Sequence, residues 1–127
     1  MIPPISLEDW RKAGERFSHR GHAIFTRTGG DWSDAGREAV IAIHGFPTAS
    51  WDWAHQWEAL CARYRVAALD MIGFGFSAKP RTYDYSIQDQ ADLHEAYFEH
   101  LGLSRIHILA HDYGDTVAQE LLARFID

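Results

Sequence analysis

Leu109-Ala110-His111-Asp112-Tyr113-Gly114 sets an acidic residue between two small ones, where an apolar run meets a helical pattern. When a strand passes straight into a helix, the turn is so tight that positions two residues either side of its apex must be small. Ala110 and Gly114 meet that demand. The apex side chain then stands clear of the sheet at the helix N-terminus, where the macrodipole favours an anion. Here the apex is Asp112. A carboxylate, with a pKa of about 4, is already charged at neutral pH and needs no base for its first attack. It suits displacement at a saturated carbon, which leaves an alkyl–enzyme ester that a histidine-activated water must then hydrolyse. Asp also caps helices often, but capping alone requires neither the small flanking residues nor the apolar strand before them.

His44-Gly45-Phe46-Pro47 follows a second apolar run, Ala39-Val40-Ile41-Ala42-Ile43. A loop leaving the C-terminal end of such a strand can aim a backbone N–H at the reacting centre. The N–H groups of Phe46 and Tyr113 are expected to form an anion-stabilising pair, with His44, Gly45 and Pro47 shaping the loop. Pro47 lacks an N–H and cannot itself donate. His-Gly-x-Pro also suits a plain turn; its weight comes from preceding the elbow in the strand order.

The elements that must position these residues follow from periodicity. Residues 6–17 carry a short helical pattern with Leu7, Trp10 and Phe17, and His22 to Thr28 alternates like an edge strand that turns at Gly29-Gly30-Asp31. Ala39–Ile43, Val66–Leu69 and Ile106–Leu109 read as strands buried on both faces. Thr48–Tyr64 reads as a helix, with Trp53, Trp57, Leu60 and Tyr64 at helical spacing; Trp51, Trp53 and Trp57 are assigned mostly to the core rather than to a ligand box, and Cys61 to inert filler. Ser86–Leu101 is a helix with Ser86 and Asp89 at capping-box spacing and Gly102 as its stop. Tyr113–Phe125 is the last helix, with Val117, Leu121, Leu122 and Phe125 on its inner side. Strands alternating with helices give an α/β fold, a mostly parallel sheet with helices on both faces. Gly73-Phe74-Gly75, in the long loop after Asp70, is no dinucleotide fingerprint, since the third glycine is missing and no helix starts at once.

Composition narrows the class. Over 127 residues, 12 basic and 18 acidic side chains give a net charge of −6, and with no basic stripe nucleic acid is not expected as a partner. With 46% hydrophobic and 24% charged residues, the chain is globular rather than disordered. No apolar run approaches membrane-spanning length, and Met1-Ile2-Pro3-Pro4-Ile5-Ser6 lacks the pattern of a secretory signal. One cysteine excludes an internal disulfide and any cysteine-rich zinc site. The expectation is a cytoplasmic protein with no cofactor and no metal.

Three stretches arriving in order carry a family resemblance. They are Gly45-Phe46-Pro47-Thr48-Ala49-Ser50-Trp51-Asp52-Trp53, Asp70-Met71-Ile72-Gly73-Phe74-Gly75-Phe76-Ser77-Ala78-Lys79-Pro80, and His111-Asp112-Tyr113-Gly114. Together they resemble the α/β-hydrolase superfamily, and the aspartate at the apex resembles its epoxide hydrolase and haloalkane dehalogenase branch. The resemblance implies a small hydrophobic organic substrate attacked by Asp112. Tyr113 stands where that branch usually has Trp, and Phe46 where many dehalogenases have a polar residue, so an epoxide or ester-like substrate is favoured over a haloalkane. In the family a cap domain, an acid and the catalytic histidine follow the segment at which this chain stops. The chain is therefore expected to be the N-terminal half of an α/β-hydrolase core, a single unit over residues 1–127 without cap or C-terminal half. By itself it is expected to be alkylated once without turnover.

The histidines present are not expected to replace the missing base. His111, adjacent in the elbow, is assigned to packing, His107 to a hydrogen-bonded core role, and His44 to a backbone contact in its loop. His19, His22, His55, His94 and His100 show no metal-ligand spacing. Two rival readings remain. One is a non-catalytic relative that associates with itself or a partner through an exposed sheet edge. The other is a Ser-type esterase, against which stands the lack of any serine at an elbow.

Overall fold

A computed structural model describes residues 5–125. The reading of Met1–Pro4 as lacking a signal, and the end of the chain at Ile126-Asp127, lie outside the described residues. The elements run α1 (Leu7–Lys12), β1 (Glu15–His19), β2 (His22–Gly29), β3 (Ala39–Ile43), α2 (Ala54–Cys61), β4 (Arg65–Leu69), α3 (Ile87–His100), β5 (His107–Ala110) and α4 (Tyr113–Phe125), with a 3-10 turn at Ser50–Trp53 leading into α2. Five strands form one sheet in the order β1-β2-β4-β3-β5. β3 pairs in parallel with β4 and β5, while β2 is antiparallel to both β1 and β4. Four strands thus run one way and only β2 runs against them, so the fold is α/β with a mostly parallel sheet.

The sheet is covered on both faces, and strand alternation decides which residue serves which layer. Ile41, Ile43, Ala67 and Leu69 point to the side where Leu93, Tyr97 and Phe98 of α3 meet Val117 and Leu121 of α4. Ala42, Val66 and Ala68 point to the opposite side, against Trp10 of α1 and Ala54 and Trp57 of α2. Each fully buried Ile or Leu here contributes roughly 1.5–3 kcal/mol. α3 starts where the sequence places it, with the Ser86 hydroxyl accepting from Asp89 N–H at 3.0 Å.

Five local expectations are corrected. The first helix stops at Lys12, and Phe17 lies on β1, because Arg20 (φ 50°) and Gly21 (φ 81°) close a tight hairpin into β2. β2 is therefore not an edge strand. The helix expected from Thr48 begins at Ala54 after the 3-10 turn and ends at Cys61. β5 is the sheet edge, paired only with β3 among the described residues, so its burial alternates and Leu109 is 37% exposed. On α4, Val117 and Leu121 are buried but Leu122 and Phe125 are exposed. No helix among the described residues is long and apolar enough to cross a membrane.

Candidate active site

The site forms where β3 and β5 end side by side. Their register sets Ile43 opposite Ala110, so the loop after one strand and the elbow after the other leave the sheet at the same level. His111 N–H donates to Ile43 O at 3.2 Å, the last ladder bond before the chains diverge. Asp112 follows with φ 56°, in the left-handed region that a non-glycine residue adopts only where neighbouring structure enforces it. Gly114 N–H then bonds to His111 O and Asp115 N–H to Asp112 O, each at 2.9 Å, and α4 begins.

The small residues are small for identifiable reasons. A Cβ on Gly114 would sit 2.5 Å from Ile43 O and 2.6 Å from His44 O. A Cβ on Gly45 would sit 2.7 Å from Asp112 Cβ. The loop and the elbow are thus in backbone contact, and Ala110 packs against the core beneath them.

The Asp112 carboxylate is exposed at the apex, and its two oxygens differ. Oδ1 accepts from Phe46 N–H at 3.0 Å and from Tyr113 N–H at 2.7 Å. Oδ2 has no hydrogen bond among the described residues. The Phe46 N–H, then the Tyr113 N–H, hold the carboxyl below the usual carboxylate range. Asp112 is therefore an anion at neutral pH with one oxygen clamped and one free.

His44 is fully buried beneath this loop. Its Nδ1 lies 2.8 Å from Gly45 O and its Nε2 accepts from Met71 N–H at 3.0 Å. An amide can only donate, so Nε2 carries the lone pair and Nδ1 the proton. That neutral form agrees with burial pushing the imidazole's pKa down. His44 thereby ties the loop after β3 to the segment after β4, which is the backbone role expected of it. Pro47 follows Phe46 through a cis peptide bond at the exposed tip of this loop.

Two histidines differ from expectation. His111 is exposed rather than packed in the core, and it faces a cleft of about 280 Å³ with His44, Asp52, Trp53 and Gln56. His107 is also exposed, its Nε2 3.1 Å from a Glu38 carboxylate oxygen, because β5 is an edge strand. Trp57 is buried and Trp51 and Trp53 pack against the same cluster, in keeping with a core role. Cys61 is half-buried, and burial pushes its thiol pKa up, away from reactivity.

Sequence reasoning missed Asp70 and Phe74. Asp70 is buried, and its two carboxylate oxygens accept from Ser50 N–H and Phe76 N–H at 2.8 Å each, lacing both loops of the site to the end of β4. Its signal was its position, an acidic residue closing an apolar strand. Phe74 lies in the same loop, with its ring centroid 5.2 Å from that of His44 and 5.9 Å from those of Phe46 and Tyr113.

A parallel sheet covered on both faces, with a tight strand–helix elbow and a backbone donor pair at its C-terminal edge, defines an α/β-hydrolase core. The chain belongs to the α/β hydrolase fold family, whose sequence profile matches residues 38–127. Over 98% of its length it is 50% identical to the mesoderm-specific transcript homolog protein of Bos taurus, of which it spans 39%. A haloalkane dehalogenase loop variant from Bradyrhizobium elkanii superposes with a TM-score of 0.78 at 30% identity, over 87% of this chain and 36% of that one. An epoxide hydrolase from Vigna radiata superposes with a TM-score of 0.75 at 26% identity, over 89% and 36%. The chain thus spans well under half the length of these relatives.

Proposed function

We propose that this chain carries the nucleophile half of a hydrolase that opens an epoxide, or a related strained or activated carbon electrophile, through an ester on Asp112. The observation that carries this reading is the asymmetry of the carboxylate, with two backbone donors on Oδ1 and none on Oδ2. Oδ2 attacks the electrophilic carbon of a small hydrophobic substrate. Its new C–O bond forms as the carbon–oxygen bond of the epoxide breaks, and the departing oxygen keeps the electron pair and takes a proton from solvent water, to which the exposed site is open. Oδ1 becomes the carbonyl oxygen of the ester. Water adding to Cγ of Asp112 then places negative charge on Oδ1, which already has the Phe46 and Tyr113 N–H groups within hydrogen-bond reach. Collapse releases the product alcohol and restores the carboxylate. None of the histidines among the described residues hydrogen-bonds to Asp112. The reading therefore assigns the water-activating histidine and its acid to the part of the longer relatives that this chain does not span.

Phe46 disfavours release of a free halide, because its side chain offers no hydrogen bond to a departing anion. The test is intact-mass and peptide mass spectrometry after incubation with styrene oxide or, separately, 1-bromohexane. A single stable adduct is expected on the peptide bearing Asp112, faster with the epoxide, and absent from Asp112→Ala. Labelling unchanged in Asp112→Ala would sink the assignment.

A further inference from the structure

Gly73-Phe74-Gly75 is a stretch that the hydrolytic chemistry leaves without a task, and its geometry gives it one. Both glycines have positive φ, 95° and 53°, so the backbone turns sharply on either side of Phe74 in a way that side-chain-bearing residues resist. The turn is also crowded. A Cβ on Gly73 would meet the Tyr85 ring at 2.9 Å, and one on Gly75 would collide with the Asp70 carboxylate. Phe74 N–H bonds to Met71 O at 2.9 Å and Ser77 N–H to Phe74 O at 3.0 Å. Phe76 N–H, two residues on, is held by buried Asp70. Phe74 is therefore presented from a tight, well-anchored loop.

Its ring meets both of the other segments of the site. His44 and Phe46 lie on the loop after β3, Tyr113 on the first turn of α4, and Phe74 lies edge-on to His44 and Phe46 and tilted against Tyr113. Phe46 and Tyr113 are also the two residues whose N–H groups converge on Asp112 Oδ1. Tyr113 has helical backbone on its C-terminal side to fix it. Phe46 sits on a surface loop and is 65% exposed, and Phe74 is its aromatic neighbour. Edge-to-face pairing of this kind is favourable beyond the area it buries, and it biases a short loop between competing positions.

We propose that Phe74 is a positioning residue of the hydrolytic site: its ring braces the side chains of Phe46 and Tyr113 and so sets the spacing of the two N–H donors that clamp Asp112. The role assigned to the donors rests on the proposed ester chemistry, whereas the bracing itself does not. Phe74 acts through its neighbours rather than on substrate. The glycine on either side fits this role, since the sharp turn that presents the ring needs positive φ at both positions and leaves no room there for a Cβ.

The experiment compares the chain with Phe74→Ala, Phe74→Leu and Phe74→Tyr, each checked for folding by circular dichroism. Two quantities are read: the titration midpoint of the Asp112 carboxyl by carbon-detected NMR, and the rate of Asp112 alkylation by styrene oxide. Phe74→Ala is expected to move the midpoint up toward the ordinary carboxylate value and slow alkylation by roughly tenfold or more. Phe74→Leu keeps bulk without a ring and is expected to show both changes in smaller measure, and Phe74→Tyr is expected to restore both. If Phe74→Ala does not fold, the Leu and Tyr variants carry the comparison. A midpoint unmoved in Phe74→Ala, or in Phe74→Leu when only that variant folds, overturns the proposal. A midpoint that moves in a protein whose Asp112 is never alkylated upholds the bracing and removes the nucleophile assignment instead.

Discussion

Phe46 N and Asp112 Oδ1 lie 3.0 Å apart although 66 positions separate them in the chain. Neither residue could reach the other without the parallel pairing of β3 with β5 and the register that ends both strands together at Ile43 and Ala110. The contact is thus a readout of the sheet: a shift of one residue in that pairing would move the loop by about 3.3 Å and separate donor from acceptor.

The first consequence is a pH profile. With Phe46 and Tyr113 N–H groups favouring its charged form, the Asp112 carboxyl titrates below the ordinary range. Alkylation by styrene oxide needs the carboxylate, so its rate is expected to stay flat from pH 8 down to about 5 and to fall only below about 4. Initial rates of adduct formation across that range provide the measurement. An inflection between pH 6 and 7 would mean that a histidine, not Asp112, limits the first step. The same lowered pKa adds stability that is present above the unfolded carboxylate value and lost as pH falls through the folded one.

Backbone contact between loop and elbow sets a steric limit. Because a Cβ on Gly114 would press on two carbonyl oxygens at 2.5 and 2.6 Å, Gly114→Ala must push α4 away from β3. The expected cost is about 1–3 kcal/mol, read from the urea midpoint at unchanged m-value. Gly45→Ala meets Asp112 Cβ at 2.7 Å and is expected to act more locally, slowing alkylation more than it lowers stability. Wild-type urea midpoints in both variants would show that the elbow is not packed as described.

What the sequence made legible, and what it hid, divides along a physical line. The strands β3 and β4, the helices α3 and α4 and the elbow itself are written in local pattern: continuous apolar runs, a Ser86 cap, small residues around Asp112. β1 was hidden because its hairpin uses Arg20 at a positive φ where Asn or Gly is usual. The structure holds that residue through Asp89, whose Oδ1 accepts from Arg20 Nε at 2.7 Å and whose own burial lies 69 positions away on α3. A tertiary contact there replaces a local signal. The apolar run Ile106–Leu109 looked like a central strand, since an edge strand that buries one face by contact with a helix has the same composition. Of the candidate site, Gly45 and Gly114 sit where close backbone approach demands glycine, whereas Asp112 and Phe46 were reached through their places in the elbow and the loop, since the N–H that Phe46 supplies is one that any residue but proline has. Phe74 was not, because a ring that acts by touching three others has no spacing to betray it.

His94 supplies an acid-stability prediction. It is fully buried on α3, its Nδ1 lies 2.8 Å from Gln90 O, and its Nε2 has no partner among the described residues. Burial lowers its pKa to about 4, with His44 and His19 pushing the same way and the Gln90 carbonyl opposing. In the unfolded chain the imidazole takes a proton near its ordinary value of 6.5. As pH falls, the unfolded state therefore binds the proton first, and folding stability is lost progressively from about pH 6.5 down to about 4, below which the loss levels off. Over that window the loss attributable to this one group is about 3 kcal/mol. His94→Leu keeps the volume approximately and removes the titration, so its urea stability is expected to fall less steeply than wild type between pH 6.5 and 4. His44, also buried with its pKa lowered, contributes to both curves, so the comparison rests on the difference in their slopes. Parallel curves for the two proteins across that range would mean that His94 is protonated, or hydrated, in the folded state.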